Sequence, residues 1–287
     1  MLIENGVIDS IHNNKKILFD LRYLPNHIRK PIIIFIHGFK GFKDWGHWNL
    51  IANYFAEHGF VFIKMNLSHN GTTLENPLGF DDLDAFGKNN HTIEMDDIGS
   101  LIDHVFSNGL EIAEEALNRN KVYLIGHSRG GGCAILKAVE DKRVSGLVTW
   151  ASVDTLQPSL APDEIELWKK EGVRFIYNGR TKQQMPLYFQ LWEDIKKNQE
   201  RFNIQNKITL LNKPMLILHG DKDETLPLSM AENLKQWKYD AQFKVIKNGN
   251  HTFGGQHPYP YQKLQPITLE LVEETISFLN KKKRGSE

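Results

Sequence analysis

Three features that could act together in nucleophilic chemistry lie far apart in the chain: Ser128, an acidic turn at 221–223, and His251. A serine hydroxyl is a poor nucleophile until a base takes its proton, and a histidine base works best when a carboxylate holds its tautomer. Each of the three follows a short apolar run of the kind that forms a buried strand. Since the carboxyl ends of parallel strands share one edge of a sheet, we expect the three features to meet there.

Ser128 is the centre of the sequence GHSRG, a G-x-S-x-G pattern. The apolar run 122–125 before it predicts a strand, and the residues from Cys133 onward favour a helix, which is the context that gives the pattern meaning. A serine at such a turn has a strained backbone that glycine neighbours permit, and the helix N-terminus directs unpaired N–H groups at an anion formed there. On these five residues alone, a glycine-rich turn with a serine helix cap is an equal alternative.

The acid and the base each have rival candidates in the sequence. The turn after the apolar run 215–218 is rich in carboxylates, and one more follows the predicted strand that ends at Trp150. The candidate acids are Asp221, Asp223, Glu224 and Asp154. The candidate bases are His251 in the stretch GNHT, His219 beside the acidic turn, and His257 in a proline-rich loop. We expect His219 to be structural.

Composition excludes several classes of protein. The 287 residues are 40% hydrophobic and 24% charged, which is typical of a globular chain with a sizeable core. Lys+Arg and Asp+Glu are 35 each, so no overall basic field attracts nucleic acid or anionic lipid, and we expect no nucleic-acid partner. The basic run 281–284 is interpreted as the charged end of a helix.

Cysteine content and the N-terminus indicate where the protein works. The single cysteine, Cys133, excludes an internal disulfide and a cysteine-rich zinc site. The N-terminal residues MLIENGVIDS lack the basic and apolar regions of a signal peptide. No apolar run approaches the roughly 20 residues that span a bilayer. We therefore expect a cytoplasmic protein without a membrane partner.

The elements that must position the three residues alternate between strand and helix patterns. Fully apolar runs are typical of parallel strands covered on both faces. Strands are predicted at 32–36, 60–65, 122–125, 145–150, 215–218 and 241–246, and helices at 44–58, 91–106, 229–237 and 268–281. This alternation predicts an α/β fold with a mostly parallel sheet and helices on both faces. Residues 16–24 predict an antiparallel edge strand and 66–90 a long polar loop.

The segment 154–207 interrupts this alternation. It is polar, aromatic and helical in fragments, and it lies between two predicted sheet strands. We interpret it as a lid or cap inserted over the sheet edge of a single domain, 1–287. Its aromatic residues, such as Trp168, either line a pocket or form the small core of the insertion. The stretch 178–186 is predicted to be a loop near the pocket mouth, where Arg180 or Lys182 is either solvated or receives an anionic substrate group.

Four motifs spread across the chain carry a family resemblance. They are IIIFIHGF (32–39), YLIGHSRGG (123–131), LILHGDKDETLP (216–227) and NGNHTF (248–253). In these motifs the chain resembles the serine-dependent α/β-hydrolases, near their bacterial esterase and serine-aminopeptidase-like branch. The resemblance implies the α/β-hydrolase fold with a helical lid. One motif departs from the pattern: many relatives carry an Asp-x-Arg-Gly-x-Gly turn where this chain has Asn66-Leu67-Ser68-His69-Asn70-Gly71.

The resemblance also implies site residues. The family pattern HG-x-x-D-x-x-x-P places the acid at Asp223, with Ser128 as nucleophile and His251 as base. In this family the oxyanion is held by two backbone N–H groups, which here belong to Phe39 and Arg129. We expect the Arg129 side chain to form an internal ion pair, although a contact with a substrate carboxylate is a second interpretation. No cofactor and no metal are implied.

The expected activity is hydrolysis of carboxylic esters through an acyl-enzyme, with a small-molecule ester or short peptide as substrate. A competing hypothesis is a peptidase that releases short N-terminal segments, which requires a carboxylate to hold the substrate ammonium. Asp81, Asp82 and Asp84 are the candidates for that role. Thioester hydrolysis or acyl transfer is a further hypothesis, and so is a binding protein that retains the fold without chemistry. The residues do not indicate an oligomeric state.

Overall fold

The strands of the chain form one large sheet and one small one. The structure is a computed structural model that describes residues 1–26, 28–107, 109–110 and 112–281. In chain order the strands are β1 (Leu2–Asp9), β2 (Lys16–Tyr23), β3 (Lys30–Ile36), β4 (Val61–Asn66), β5 (Leu117–His127), β6 (Val144–Trp150), β7 (Val173–Asn178), β8 (Gln183–Tyr188), β9 (Met215–Gly220) and β10 (Gln242–Ile246).

The large sheet has eight strands in the order β1-β2-β4-β3-β5-β6-β9-β10. Strands β1 and β2 are antiparallel to their neighbours, and the pairs from β4 to β10 are parallel. The predicted α/β fold with a mostly parallel sheet is therefore confirmed. The prediction that residues 16–24 form the edge strand is wrong, because β1 pairs with β2 along its whole length and lies outside it.

Helices cover both faces of this sheet. The described helices are α1 (Trp48–Glu57), α2 (Leu83–Lys88), α3 (His91–Phe106), α4 (Arg129–Glu140), α5 (Pro162–Glu171), α6 (Gln190–Lys197), α7 (Ile204–Ile208), α8 (Leu228–Trp237) and α9 (Pro266–Asn280). Successive strand residues point to opposite faces. Ile32 and Ile34 pack in the core that contains α3 and α4, whereas Ile33 and Phe35 pack in the core that contains α1 and α9. This double coverage of β3 is why its residues 32–36 are all apolar.

The predicted long loop 66–90 contains the short helix α2. Its N-cap Asp82 accepts a hydrogen bond from the Ala85 backbone N–H at 2.9 Å. A helix this short, with a glycine inside it, leaves no helical pattern in the sequence. In the basic run at the other end of the chain, Lys281 follows α9, and residues 282–284 lie outside the described residues.

The segment between β6 and β9 contains α5, the antiparallel pair β7–β8, α6 and α7. The prediction of a loop over 178–186 is wrong except for the turn at 179–182, because β8 begins at Gln183. Pro186 is tolerated in β8 because an edge strand can lack one N–H donor. The hairpin rests on the loop before α2 and on α2 itself: Gln183 Nε2 donates to the Phe80 carbonyl at 3.0 Å, and the Tyr188 hydroxyl donates to Asp84 at 3.0 Å.

None of the helices in the described ranges combines the length and the apolar character needed to cross a bilayer.

Candidate active site

Ser128 lies between the end of β5 and the first residue of α4, with φ 55° and ψ −123°. A non-glycine residue with this φ is strained and persists only where its surroundings enforce it. The two pattern glycines are required by sterics: a Cβ on Gly126 would clash with the Gly130 backbone, and a Cβ on Gly130 would clash with the Ile36 carbonyl. The Ser128 side chain makes no helix-cap hydrogen bond, so a simple serine cap does not describe this turn.

Ser128, His251 and Asp223 are brought together at one edge of the sheet. The Ser128 hydroxyl lies 3.1 Å from His251 Nε2. On the other side of the ring, His251 Nδ1 lies 2.9 Å and 3.1 Å from the two carboxylate oxygens of Asp223. With Nδ1 as donor to the carboxylate, Nε2 is free to accept the hydroxyl proton. The arrangement is thus suited to removing a proton from Ser128.

Asp223 is held as a buried anion. Its side chain is 1% exposed, and its Oδ1 accepts hydrogen bonds from the backbone N–H groups of Thr225 and Leu226, both at 2.8 Å. Burial opposes ionisation, but hydrogen bonds from His219, His251 and the Leu226 N–H outweigh it and hold the pKa of Asp223 well below its usual range. The carboxylate therefore stays charged beside the imidazole.

The rival candidate acids are bonded to groups outside the His251 ring. Asp221 accepts a hydrogen bond from the Asn248 backbone N–H at 2.5 Å, and Asp154 accepts one from Asn233 at 2.8 Å. Glu224 lies 3.4 Å from the backbone N–H of His251 and has no hydrogen bond with its ring among the described residues.

Neither rival candidate base has a hydrogen bond to Ser128 among the described residues. His219 Nε2 donates to the Leu226 carbonyl at 3.0 Å and lies 3.3 Å from Asp223, so it supports the acid, as its expected structural role requires. His257 Nδ1 accepts a hydrogen bond from the Gly46 N–H at 3.0 Å.

The loop after β3 approaches the nucleophile closely. A Cβ on Gly38 would lie 2.8 Å from the Ser128 Cβ, so only glycine fits, and Phe39 follows directly. Arg129 is the first residue of α4, where a backbone N–H has no partner within the helix. The backbone N–H groups of Phe39 and Arg129 donate no hydrogen bond within the described chain. Both remain available to an oxyanion.

His37 fixes the shape of this loop. Its Nδ1 donates to the Gly38 carbonyl at 2.8 Å, and its Nε2 accepts the Leu67 backbone N–H at 3.4 Å. Burial lowers the pKa of His37 to about 4, so the ring is neutral near pH 7 and can both donate and accept. His37 thus packs against this loop and holds it by hydrogen bonds.

His127 is a supporting residue that sequence reasoning missed. Its Nε2 donates to the backbone carbonyl of His251 at 2.8 Å, and the two rings are 4.9 Å apart. Burial lowers the pKa of His127 to about 3. This residue ties the turn that carries the candidate base to the end of β5, and a single variable position of the G-x-S-x-G pattern gives no signal of such a role.

The Arg129 side chain forms the expected internal ion pair. Its guanidinium lies 2.7 Å from Glu94 and stacks 4.1 Å from the centre of the Phe39 ring. Burial opposes ionisation of Glu94, but the Arg129 charge and hydrogen bonds from His91 and Asn89 outweigh it and lower the pKa to about 2. A buried carboxylate thus holds the first residue of α4 in place.

Replacing Glu94 with glutamine is expected to lower the free energy of unfolding by about 2–3 kcal/mol at pH 7, because Arg129 would lose its partner in a mostly buried site. The folded-state pKa lies below the ordinary value of 4.5, so the Glu94 contribution is complete above that value and is lost as the pH falls toward about 2. Urea unfolding should therefore show a difference in the free energy of unfolding between wild type and Glu94→Gln that becomes smaller below about pH 4. The exposed Glu166 on α5, replaced by glutamine, is the matched control, and a difference independent of pH would contradict the assignment.

Two cavities meet at Ser128 and His251. The larger, of about 630 Å³, has mainly apolar walls that include Trp168, Leu187 and Leu191 from the segment between β6 and β9. The smaller, of about 260 Å³, is lined by Trp45, Trp48, Lys40, Arg180 and Asn178 among others. Of the aromatic residues of the segment, Phe175 and Tyr177 are each 57% exposed, whereas Trp168 is buried.

The candidate carboxylates for a substrate ammonium lie elsewhere. Asp82 pairs with Lys15 at 2.5 Å, and Asp84 pairs with Lys88 at 2.6 Å. Asp81 accepts a hydrogen bond from Asn76 at 2.9 Å. Within the part of the chain that the structure describes, no Asp or Glu lines either of the two cavities.

Comparison with known proteins identifies the fold family of this chain. Residues 31–181 match the alpha/beta hydrolase fold family. The chain is 24% identical over 299 residues to the monoacylglycerol lipase ABHD6 of Homo sapiens, covering 92% of this chain and 82% of that protein.

Solved structures show the same fold. Est1E from Butyrivibrio proteoclasticus, with ferulic acid bound, has a TM-score of 0.70 and 18% identity, covering 96% of this chain and 97% of that chain. The alpha/beta hydrolase GrgF from Penicillium sp. sh18 has a TM-score of 0.71 and 15% identity, covering 97% and 98%. With a family match that spans more than half of its length, the chain belongs to the alpha/beta hydrolase fold family.

Proposed function

We propose that this protein hydrolyses carboxylic esters through a covalent acyl-enzyme on Ser128. The observation that carries the proposal is the continuous hydrogen-bond path from the Ser128 hydroxyl through His251 to Asp223. The likeness to a monoacylglycerol lipase supports ester substrates in particular. No cofactor enters the proposal.

In the first half-reaction, Ser128 Oγ attacks the ester carbonyl carbon while His251 Nε2 takes the hydroxyl proton. Asp223 stabilises the imidazolium that forms. The tetrahedral oxyanion faces the backbone N–H groups of Phe39 and Arg129. Collapse breaks the bond to the leaving alcohol, which receives the proton from Nε2. A water molecule then attacks the acyl-enzyme by the same proton path and releases the acid and free Ser128.

The segment 154–207 is proposed to act as a lid within one domain that spans 1–287. Nine of its residues form part of the wall of the larger cavity, among them Trp168, Leu187 and Leu191, and they would place an apolar acyl or alcohol group beside Ser128. A cytoplasmic location is part of the same proposal.

Ester substrates are favoured over peptides because a peptidase of the aminopeptidase type requires a carboxylate to hold the substrate ammonium. Asp82 and Asp84 pair with lysines and Asp81 with Asn76, and the lining of the two cavities, in the described chain, offers no acid in their place.

The test combines a probe with a substrate series. The purified protein should be labelled by a fluorophosphonate and should turn over p-nitrophenyl esters, with an optimum of acyl length that reflects the volume of the larger cavity. Aminoacyl p-nitroanilides and acyl thioesters are measured in parallel. Labelling without ester turnover would direct the assignment to peptides or thioesters. Folded protein that is not labelled at all would contradict catalysis and leave a binding protein of the same fold.

A further inference from the structure

The smaller cavity has two cations beside the candidate nucleophile. Lys40 and Arg180 line it together with Ser128 and His251. Arg180 lies in the turn between β7 and β8, and its backbone N–H donates to Asn178 at 3.2 Å. The hairpin and the loop after β3 thus bring two positive charges from distant parts of the sequence to one small space.

The Arg180 guanidinium is placed in an apolar setting. It lies 5.3 Å from the centre of the Phe42 ring and 5.4 Å from that of Phe80, both of which are buried. Its Nη2 is buried and has no hydrogen-bond partner among the described residues. Arginine stays protonated in proteins, so its buried donors cost free energy unless an acceptor satisfies them.

No described carboxylate forms an ion pair with Lys40 or Arg180. Burial lowers the pKa of Lys40, and the charge of Arg180 lowers it further, because the two cations repel each other. Burial alone lowers the pKa of Arg180, with no acid opposing it.

Two other cations of this chain, the buried Lys64 and the partly buried Arg129, do have acidic partners. Lys64 lies 2.9 Å from Asp20 and 2.6 Å from Asp44, and Arg129 lies 2.7 Å from Glu94. In these two cases an acid of the chain itself neutralises the cation. Two unpaired cations at the reactive serine are instead suited to a ligand that brings the missing negative charge.

We propose that Arg180, with Lys40, binds a carboxylate on the substrate, so that the preferred esters carry a carboxylate close to the scissile carbonyl. A planar guanidinium matches a carboxylate in a bidentate pair, and the Lys40 ammonium adds a second charge. The small volume admits a short charged group, while the apolar part of the substrate occupies the larger cavity. The substrate class rests on the proposed function, because only then does Ser128 act on the bound ester.

The kinetic test uses two matched pairs of esters. In the first pair the charge is on the acyl side: mono-p-nitrophenyl glutarate and its neutral methyl ester. In the second it is on the leaving group: 4-acetoxybenzoate and methyl 4-acetoxybenzoate. In at least one pair, wild type should prefer the anionic ester in kcat/KM, and Arg180→Gln should lower the ratio of anionic to neutral by about 10- to 100-fold. Lys40→Gln should lower it less, because a single ammonium cannot bind bidentately.

Lys182→Gln is the matched control, since Lys182 is an exposed cation in the same turn and its loss should leave the ratio unchanged. Arg180→Lys keeps the charge without the fork and should give an intermediate ratio, and equal Tm values would show that the variants are folded. A wild-type protein that prefers the neutral ester in both pairs, or a ratio that Arg180→Gln does not change, would overturn the proposal.

A binding measurement separates this inference from the proposed activity. Calorimetric titration of Ser128→Ala with 4-acetoxybenzoate should show binding that weakens about 10-fold or more when Arg180→Gln is added, and that the neutral methyl ester does not reproduce. If wild type turns over no ester but this binding is seen, the anion site stands and the proposed hydrolysis fails. If esters are turned over but the anion is not bound, the hydrolysis stands and the anion site fails. Binding of a phosphomonoester in place of the carboxylate would also overturn the assignment of a carboxylate ligand.

Discussion

Ser128→Ala is expected to lower kcat for ester hydrolysis by about a million-fold and to abolish fluorophosphonate labelling. The reason is that the acyl-enzyme cannot form without Oγ, and the remaining rate would come only from the oxyanion donors and substrate binding. Alanine meets the same backbone strain at φ 55° as serine, so the Tm should change little. The measurement is initial-rate kinetics with the best p-nitrophenyl ester, together with gel-based labelling.

The control for this experiment is Ser229→Ala, which removes an exposed hydroxyl at the start of α8. It should be labelled and should turn over esters like wild type. A Ser128→Ala protein that is folded and still labelled would show that another residue is the nucleophile. Loss of labelling with retained ester turnover would reject the acyl-enzyme while keeping a hydrolase.

Asp223→Asn has the second-largest expected effect, a drop in kcat of about ten-thousand-fold. An amide has no charge to stabilise the imidazolium, and it can place its NH₂ toward His251 Nδ1, which favours the tautomer with the proton on Nε2 and removes the base. Because the pKa of Asp223 is held well below its usual range, the carboxylate is ionised throughout the range in which activity is measured. The loss should therefore be seen at every pH and should not be rescued by raising it.

The rival candidate acids supply the controls. Asp221→Asn and Glu224→Gln remove charges from the same turn without touching the His251 ring, so kcat should stay close to wild type. Asp154→Asn should behave likewise, since that carboxylate is bonded to Asn233. If Glu224→Gln were to lose as much activity as Asp223→Asn, the two acids would have to be assigned again.

The Asp223 carboxylate also affects the stability of the protein in acid. A group whose folded pKa lies below its unfolded value stabilises the protein fully above the unfolded value, and this contribution is lost as the pH falls through the folded pKa. For Asp223 the ordinary value is 3.8. The contribution of Asp223 to the free energy of unfolding should thus persist down to about pH 4 and then decline. Urea unfolding across this pH range should show this decline for wild type and should not show it for Asp223→Asn.

Much of this arrangement could be predicted because it depends on local patterns. The apolar run 32–36 predicted a strand covered on both faces, and the structure buries all five residues. Residues 91–106 predicted a helix with the bounds of α3, because an apolar stripe at helical spacing continues from a good N-cap, Asn90, to the end. The meeting of Ser128, Asp223 and His251 followed from the parallel strand ends.

The remaining parts could not be predicted because tertiary contacts decide them. The strands β7 and β8 are joined by a turn that begins at Gly179, and β8 contains Pro186. Both features favour a loop, but the segment forms a hairpin that Phe80 and Asp84 hold from outside. Strand β1 is mostly exposed, so its sequence lacks the apolar run of a buried strand. For Arg180, no pattern distinguishes a solvated cation from one placed against the rings of two buried phenylalanines.

The proposed reaction and the proposed binding of a substrate carboxylate are assigned to different parts of the fold. The candidate catalytic side chains lie at the ends of sheet strands, whereas Arg180 belongs to a hairpin that is hydrogen-bonded to the loop before α2 and to α2 itself. If Arg180 binds substrate as proposed, changes in the turn 179–182 should alter which esters are accepted without moving the strands that carry Ser128, Asp223 and His251. For protein engineering, this turn is therefore the place to introduce a new substrate preference.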